Sequence, residues 1–549
     1  MQATLILAGG QVRSLDDETA AEAIALQGST VLGMGTRHAM EAFRGPSTEY
    51  VELEGAAVLP AFVDHHVHVL NLGLALLNRE RQQYLFLELG EARSLDDLAR
   101  LVHARASAAD HGSWILGQGW TQAVSGTERL PDSDVLDRAA PQHPVFLTRS
   151  DAHVGWANAT ALALAGLDPS TPDPPGGRIL RRTDGALTGI LLERAVEAVT
   201  AVIPAPLTEE LVRAFRRGAE ELAARGVTRA YDAGFLTSPG IVDLGTDHTG
   251  LLAAVAEADG LDPLPVSIGL MVPGPSALAD AVLSAPGAHV LSDRLRITHL
   301  KLFTDGGLGA RSAALTHPYA DDPATRGVAR MSYAEIHEWA GRALDAGLDV
   351  ATHAIGDAAV GATLDAYERL LSERSGLDPR RLRVEHFSYA RETDFQRAVD
   401  LGVPLSVQSD FNSPPDEVPT FGATRVGADH ADAVYAWGRL ADGGALLLEG
   451  TDLYGIPGPP LFNLHAGLTA HNAVGTRGDG AAGRLPALRI ATRYLPAGGR
   501  PVVDGALRVG TPADVVVLSG DPLTVPLAEL LEMRVLATFR HGRRVYQRK

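Results

Sequence analysis

The chain has 549 residues, 45% hydrophobic and 21% charged, with a formal net charge of −19. That profile is expected of a soluble globular protein; the acidity argues against a nucleic-acid partner, which needs a basic footprint, and no apolar run reaches the ~18 residues of a membrane span. Cysteine is absent, which excludes disulfides, thiolate metal sites and cysteine nucleophiles and leaves His, Asp, Glu or a modified side chain to hold any metal.

The opening MQATLILAGGQVRSLDDE lacks a basic n-region and turns polar after one short apolar run. No secretory signal is expected, and the cytoplasm is the expected compartment. Residues 1–56 read as short strands and turns, and so does the far end, 505–549, with ADVVVLSGDP, VLATFRHG and RRVYQRK. Neither end is long enough for a core of its own. The two are expected to pair into one small β-sandwich domain, with residues 57–504 inserted between them.

Within 57–504 the pattern changes to apolar runs of strand length separated by amphipathic segments of helix length. Eight such runs occur: AAVLPAFVDHH, GVTRAYDAG, LPVSIGLMV, RLRITHLKLFTDGG, LDVATHAIGD, RLRVEHFSYA, VPLSVQSD and GALLLEGTD. Strand–helix alternation implies a parallel sheet, and eight runs is the count of an α/β fold of the closed (β/α)8 TIM-barrel type. Residues from about 71 to 205 fit no single strand–helix unit and are read as a large insertion after barrel strand 1.

The first barrel run ends in AFVDHHVHVL, residues 61–70. Residues i and i+2 of a strand share a face, so His66 and His68 are expected side by side, with Asp64 below them and His65 facing the other way. Two imidazoles on one face can ligate one metal ion; they can equally be two histidines satisfied by ordinary hydrogen bonds. Barrel chemistry sits where strands end, and other strand ends carry Lys301, His353, His386 and Asp452. Alone, His353 reads as a core histidine and Asp452 as a helix cap. Lys301 is harder to dismiss, because lysine is depleted in strands and almost never buried unpaired. His299 shares its face, one layer deeper. Convergence of all six strand-end residues favours a metal site over separate structural roles.

In this order, VDHHVH, KLFTDGGLGARSAAL, ATHAIGDAA, VEHFSYA, VQSDF and GTD resemble the amidohydrolase superfamily, in particular its amidohydrolase 3 branch with the N-substituted formamide deformylase-like proteins. RSDAHVGWANATAL in the insertion and GTPADVVVLSGDPL near the end extend the resemblance over nearly the whole chain. It implies a divalent metal, usually zinc, at the barrel mouth. His66 and His68 would bind one ion with Asp452, and His353 and His386 a second, with an N-carboxylated Lys301 as bridge; one ion or two is left open. The implied reaction is hydrolysis of a C–N bond (amide, formamide or cyclic amide) by metal-activated hydroxide, with Asp452 as general acid and base. His153 would contact the substrate or the oxyanion, although it could equally be a turn residue. Asp64 would orient a ligand histidine, and Asp305 with the glycines of DGGLG would shape a loop.

Two positions depart from the pattern: His471 stands where arginine is common, and Glu449 precedes Gly450 where a small residue is usual. Two other functions compete. One is an aminohydrolase that deaminates a heterocycle, for which Asp357 would replace the usual glutamate shuttle and Lys301 would be unexplained. The other is a non-catalytic metal-binding scaffold. A small-molecule substrate is expected, with Trp114, Trp120, Trp156, Phe411 and Tyr454 either lining its pocket or belonging to the core. A homodimer is the base-rate assembly.

Overall fold

The computed structural model describes residues 1–549 apart from 82–85, 91, 122–123, 125–129, 151–152, 205–206, 235–247, 286, 414–417, 454–457 and 470–480. Eight parallel strands form its centre: β1 (Phe62–Val67), β2 (Val227–Asp232), β3 (Ser267–Gly274), β4 (Leu295–Phe303), β5 (Asp349–Ala354), β6 (Leu382–His386), β7 (Leu405–Val407) and β8 (Leu447–Glu449). Each pairs with its neighbour in sequence order. At the mouth, β8 reaches β1 through a bridge between Val67 and Leu453, with Asp452 N donating to His66 O at 2.6 Å and His68 N to Leu453 O at 3.1 Å. The sheet therefore nearly closes into a barrel. Among the described residues, no helix is long and apolar enough to cross a membrane.

The sequence explains the two faces of each strand. On β4, Leu300 and Leu302 join the core shared with the surrounding helices, while His299 and Lys301 turn inward, His299 meeting Tyr231 edge-on at 5.6 Å. Tyr333–Asp345, one of the covering helices, starts with a capping box in which Ser332 and Glu335 satisfy each other's backbone donors.

The strands of both chain ends hydrogen-bond into one eight-stranded sheet. Val515–Leu518 runs antiparallel to Ala57–Pro60, with Val516 opposite Leu59. The N-terminal share of this sheet thus extends to Pro60, and the barrel begins at Phe62. Period-2 alternation buries Leu5 and Leu7 on one side and Ile6 and Ala8 on the other, and a register irregularity between Ala8 and Val12 brings Val12 to the Leu5 side.

After β1, helix Val69–Arg81 stays with the barrel shell, where Gly73 lies so close to helix Thr208–Ala224 that a Cβ would meet Ala214 O at 1.6 Å. A separate six-stranded sheet, from Leu87–Glu88 to Leu187–Glu193, is inserted between these helices. Trp120 and Trp156 meet edge-on at 5.5 Å in its core, with Trp114 packed against a neighbouring cluster. These tryptophans hold the insertion together and do not line the barrel mouth; Phe411 does. Tyr454 and His471 lie outside the described residues.

Candidate metal centre

A cavity of about 380 Å³ opens at the C-terminal ends of the barrel strands and brings together His66, His68, Lys301, His353, His386 and Asp452, with His153 from the insertion. His66 Nε2 and His68 Nε2 lie 3.4 and 3.2 Å from Asp452 Oδ1, and these three residues can present one ligand atom each to a common ion. The His353 and His386 rings are 4.5 Å apart, and His386 is 4.8 Å from His66.

Strand alternation alone would not produce this arrangement. The pairing of β1 with β2 shifts between Asp64 and Val67, so parity is broken within the histidine motif. Asp64 is not below His66 and His68. It faces a different cavity, shared with Phe62, Arg225 and Glu449, and accepts from His66 N (3.1 Å), Thr451 N (3.0 Å) and Thr451 Oγ1 (2.6 Å). It positions the His66 backbone, not a ligand ring. His386, the last residue of β6, and Asp452, just past β8, adopt left-handed backbone angles, φ 73° and 46°, which swing each side chain to the mouth. Such strain in non-glycine residues concentrates at functional sites. At Gly450 a Cβ would meet His66 Cβ at 2.5 Å, so only glycine lets β8 approach His66 this closely.

Each ligand candidate has a partner that aims it. His66 Nδ1 donates to Glu385 Oε2 at 2.5 Å, and Glu385 is in turn paired with Arg383. His386 Nδ1 donates to Gln408 Oε1 at 2.7 Å, and His153 Nδ1 to Glu193 Oε2 at 3.0 Å, which Arg330 also holds at 3.1 Å. With Nδ1 engaged, Nε2 of His66 and His386 is the nitrogen left to face a metal. Glu385, Gln408 and Glu193 were not singled out by sequence. Glu385 adjoins His386 in VEH, but its partner lies on β1, and Glu193 reaches His153 across the inserted sheet. Arg149 and Asp410, which fall within the RSDAHVGWANATAL and VQSDF motifs but have no role assigned by sequence, also line the cavity.

Electrostatics favours cation binding. Burial pushes His353 and His386 well below the ordinary imidazole range, keeping them neutral; burial, then Lys301, also lowers His66. Burial would raise Asp452, but His66, His68 and His386 outweigh it and hold the carboxylate ionised. Lys301 is fully buried, its pKa lowered to about 8 by burial against the pull of Glu385 and Asp452. Among the described residues, Lys301 Nζ finds no hydrogen-bond partner. His353 Nε2, although 3.4 Å from Asp305 Oδ1, makes no hydrogen bond either. Asp305 accepts from Ile355 N, Gly356 N and Ala314 N at 3.0, 2.8 and 2.9 Å, fixing the loop.

Deeper in the barrel, His65 and His299 form a separate layer. His65 stacks on Tyr231 at 5.0 Å and donates Nε2 to Arg493 O at 3.0 Å, and His299 Nδ1 meets Thr298 Oγ1 at 2.9 Å. Neither lines the cavity.

An eight-stranded barrel with imidazoles and a carboxylate converging at its mouth defines a class of hydrolase scaffold. Residues 49–546 match the profile of the amidohydrolase family, and the chain belongs to that family. The protein LONG AFTER FAR-RED 3 of Arabidopsis thaliana is 30% identical, covering 99% of this chain and 92% of its own. The N-substituted formamide deformylase of Arthrobacter pascens is 26% identical over 99% and 98%. Among solved structures, an uncharacterised metal-dependent hydrolase from Pyrococcus furiosus superposes with TM-score 0.67 at 27% identity, covering 95% of this chain and all of its own.

Proposed function

We propose that the protein is a divalent-metal-dependent hydrolase of C–N bonds in small amides, formamides or cyclic amides. The observation that carries this reading is the convergence on one cavity of four imidazoles, Asp452 and a buried Lys301 Nζ that has no hydrogen-bond partner among the described residues. Neutral imidazoles and an ionised carboxylate are a donor set that fits zinc or a similar ion. His66, His68 and Asp452 would hold one ion, and His353 and His386 a second. An N-carboxylated Lys301 would bridge them, since a protonated lysine cannot ligate and its charge would oppose a cation beside it.

A divalent ion supplies Lewis acidity, lowering the pKa of water to about 7 and polarising a carbonyl. Asp452 would serve as the general acid and base, taking a proton from water and delivering it to the leaving nitrogen. His153, its Nδ1 engaged by Glu193, would contact the substrate or the oxyanion from the cavity wall. The deformylase among the relatives supports an amide-type substrate. The deaminase reading is disfavoured because Asp357 is taken up by Thr316, whose N donates to it at 2.9 Å, and does not line the cavity. The cavity's size suits a small molecule. A symmetric homodimer in the cytoplasm completes the proposal, on general grounds only.

The test is turnover of a panel of formamides, N-acyl amines, cyclic amides and aryl esters by metal-loaded and metal-stripped protein. C–N cleavage that disappears with the metal and returns on adding zinc is expected. Undiminished turnover by metal-free protein would refute the reading.

A further inference from the structure

At the other end of the barrel, where the terminal sheet meets the strand starts, lies a second concavity of about 560 Å³. Arg294, Arg540, His541 and Arg543 line it, together with turns at Gly28 and Gly542. Arg294 immediately precedes β4, and Arg540 ends a terminal-sheet strand and donates through Nη2 to Ser267 Oγ, at the start of β3, at 2.6 Å. Lys301 is seven residues further along β4 than Arg294, roughly 23 Å at ~3.3 Å per residue. The two cavities are therefore separate sites.

The turns close the floor. Gly28 and Gly542 have φ of +54° and +69°, and a Cβ on Gly542 would lie 2.0 Å from Gly28 O. Three guanidiniums and an imidazole gather here in a chain whose net charge is −19. Two carboxylates act on this cluster, Asp514, which accepts from His541 N at 2.6 Å, and Asp259, which accepts from Leu264 N at 2.6 Å, against three guanidiniums and an imidazole. Arg540 is pushed below the usual guanidinium range by burial and, against the pull of Asp514, by Arg294 and Arg229. Arg294 Nε is buried and has no hydrogen-bond acceptor among the described residues. Crowded cations are costly, and a multiply charged anion bound among them relieves that crowding.

We propose that this concavity binds a phosphate-bearing small molecule, with Arg294 and Arg543 gripping the phosphate oxygens beside Arg540. The planar guanidinium fork matches phosphate bidentately, and the concave form suits a small ligand better than an extended acidic peptide.

Calorimetric titration of the metal-loaded protein at low ionic strength, with glycerol phosphate and inorganic phosphate as probes, tests the site. Saturable binding of one phosphate per chain and a rise in Tm that saturates with ligand are expected. The Arg294→Gln/Arg543→Gln variant should bind at least tenfold more weakly while keeping wild-type hydrolytic turnover. Undiminished binding by that variant would overturn the assignment, placing the anion elsewhere, the barrel mouth included. A Tm rise reproduced by sodium chloride at equal ionic strength would also overturn it, as mere screening of the cluster.

Discussion

Strands β1 and β8 meet at the seam of the barrel, and the acids they carry end in two different environments. Asp452 turns inward among His66, His68 and His386, which hold it ionised against the effect of burial. Asp64 and Glu449 turn outward into a cavity lined by Arg225, Asn463 and Leu464. There burial dominates, raising Asp64 to about 6 and Glu449 to about 7. Both outward acids accept several hydrogen bonds, Glu449 from Ser409 N (3.1 Å), Ser409 Oγ (2.8 Å) and Asn463 Nδ2 (3.1 Å). The inner acid is short of hydrogen bonds and rich in basic neighbours; the outer ones are the reverse. Chemistry is assigned to the inner face, and the outer face fixes the backbone that presents it.

Swapping the inner acid should have the largest effect. Asp452→Asn keeps the shape and removes the base, so kcat is expected to fall by ~10²–10⁴, the scale of general acid–base catalysis. His66→Ala and His353→Ala should lose activity together with metal, with far-ultraviolet circular dichroism unchanged. Wild-type turnover and metal content in either variant would remove that histidine from the ligand set.

Lys301→Ala comes next. If the lysine acts as a carboxylated bridge, its loss should lower turnover at least tenfold, and added bicarbonate or a short carboxylate should restore a measurable fraction. A variant as active as wild type, or a crystal structure showing an unmodified Lys301 beside normally bound metal, would leave a mononuclear site on His66, His68 and Asp452 with His353 or His386.

Glu385→Gln sharpens the same contrast one layer out. Glu385 aims His66 and is held ionised, against burial, by Arg383 and His66. Replacing an acceptor behind a ligand histidine typically costs 10–100-fold in metal affinity. Competition titration against a chromogenic chelator would read this, and an unchanged affinity would reduce Glu385 to a packing role.

How much of this was legible in the sequence follows from the same geometry. The eight barrel runs stand out because strands buried on both faces are nearly continuous apolar segments, and Lys301 stands out because a lysine does not belong in one. The ends of the chain announce their pairing less directly; only the structure carries the terminal sheet on to Pro60. Alternation misplaced Asp64, because the register shift before Val67 and the left-handed turns at His386 and Asp452 depend on neighbouring strands. Glu385 and Glu193 were invisible for a related reason: each acts on a histidine brought to it by tertiary pairing. The tryptophans of the insertion could be read as pocket or as core from sequence, and the structure puts them in a core of the insertion's own.

The smallest expected effect lies on the outer face and tests whether Glu449 is the neutral acid that its surroundings imply. A glutamate with a pKa of about 7 in the fold and ~4.3 when unfolded is protonated in the native state and ionised in the unfolded state between those values. The unfolded state then binds fewer protons, so stability falls as pH rises through the window, by about 1.4 kcal/mol per pH unit, and levels off above the folded pKa. Glu449→Gln mimics the neutral acid at every pH. Its Oε1 can accept from Ser409 N and Asn463 Nδ2, and its Nε2 can donate to Ser409 Oγ once that hydroxyl rotates. The stability of the variant relative to wild type should therefore climb between pH 5 and pH 7 and stay flat above about pH 7.5, with metal content unchanged. Urea unfolding across that range reads the difference directly. A gap that does not change with pH would mean that Glu449 is ionised in the fold, and the contrast between the two faces of the seam would rest on geometry alone.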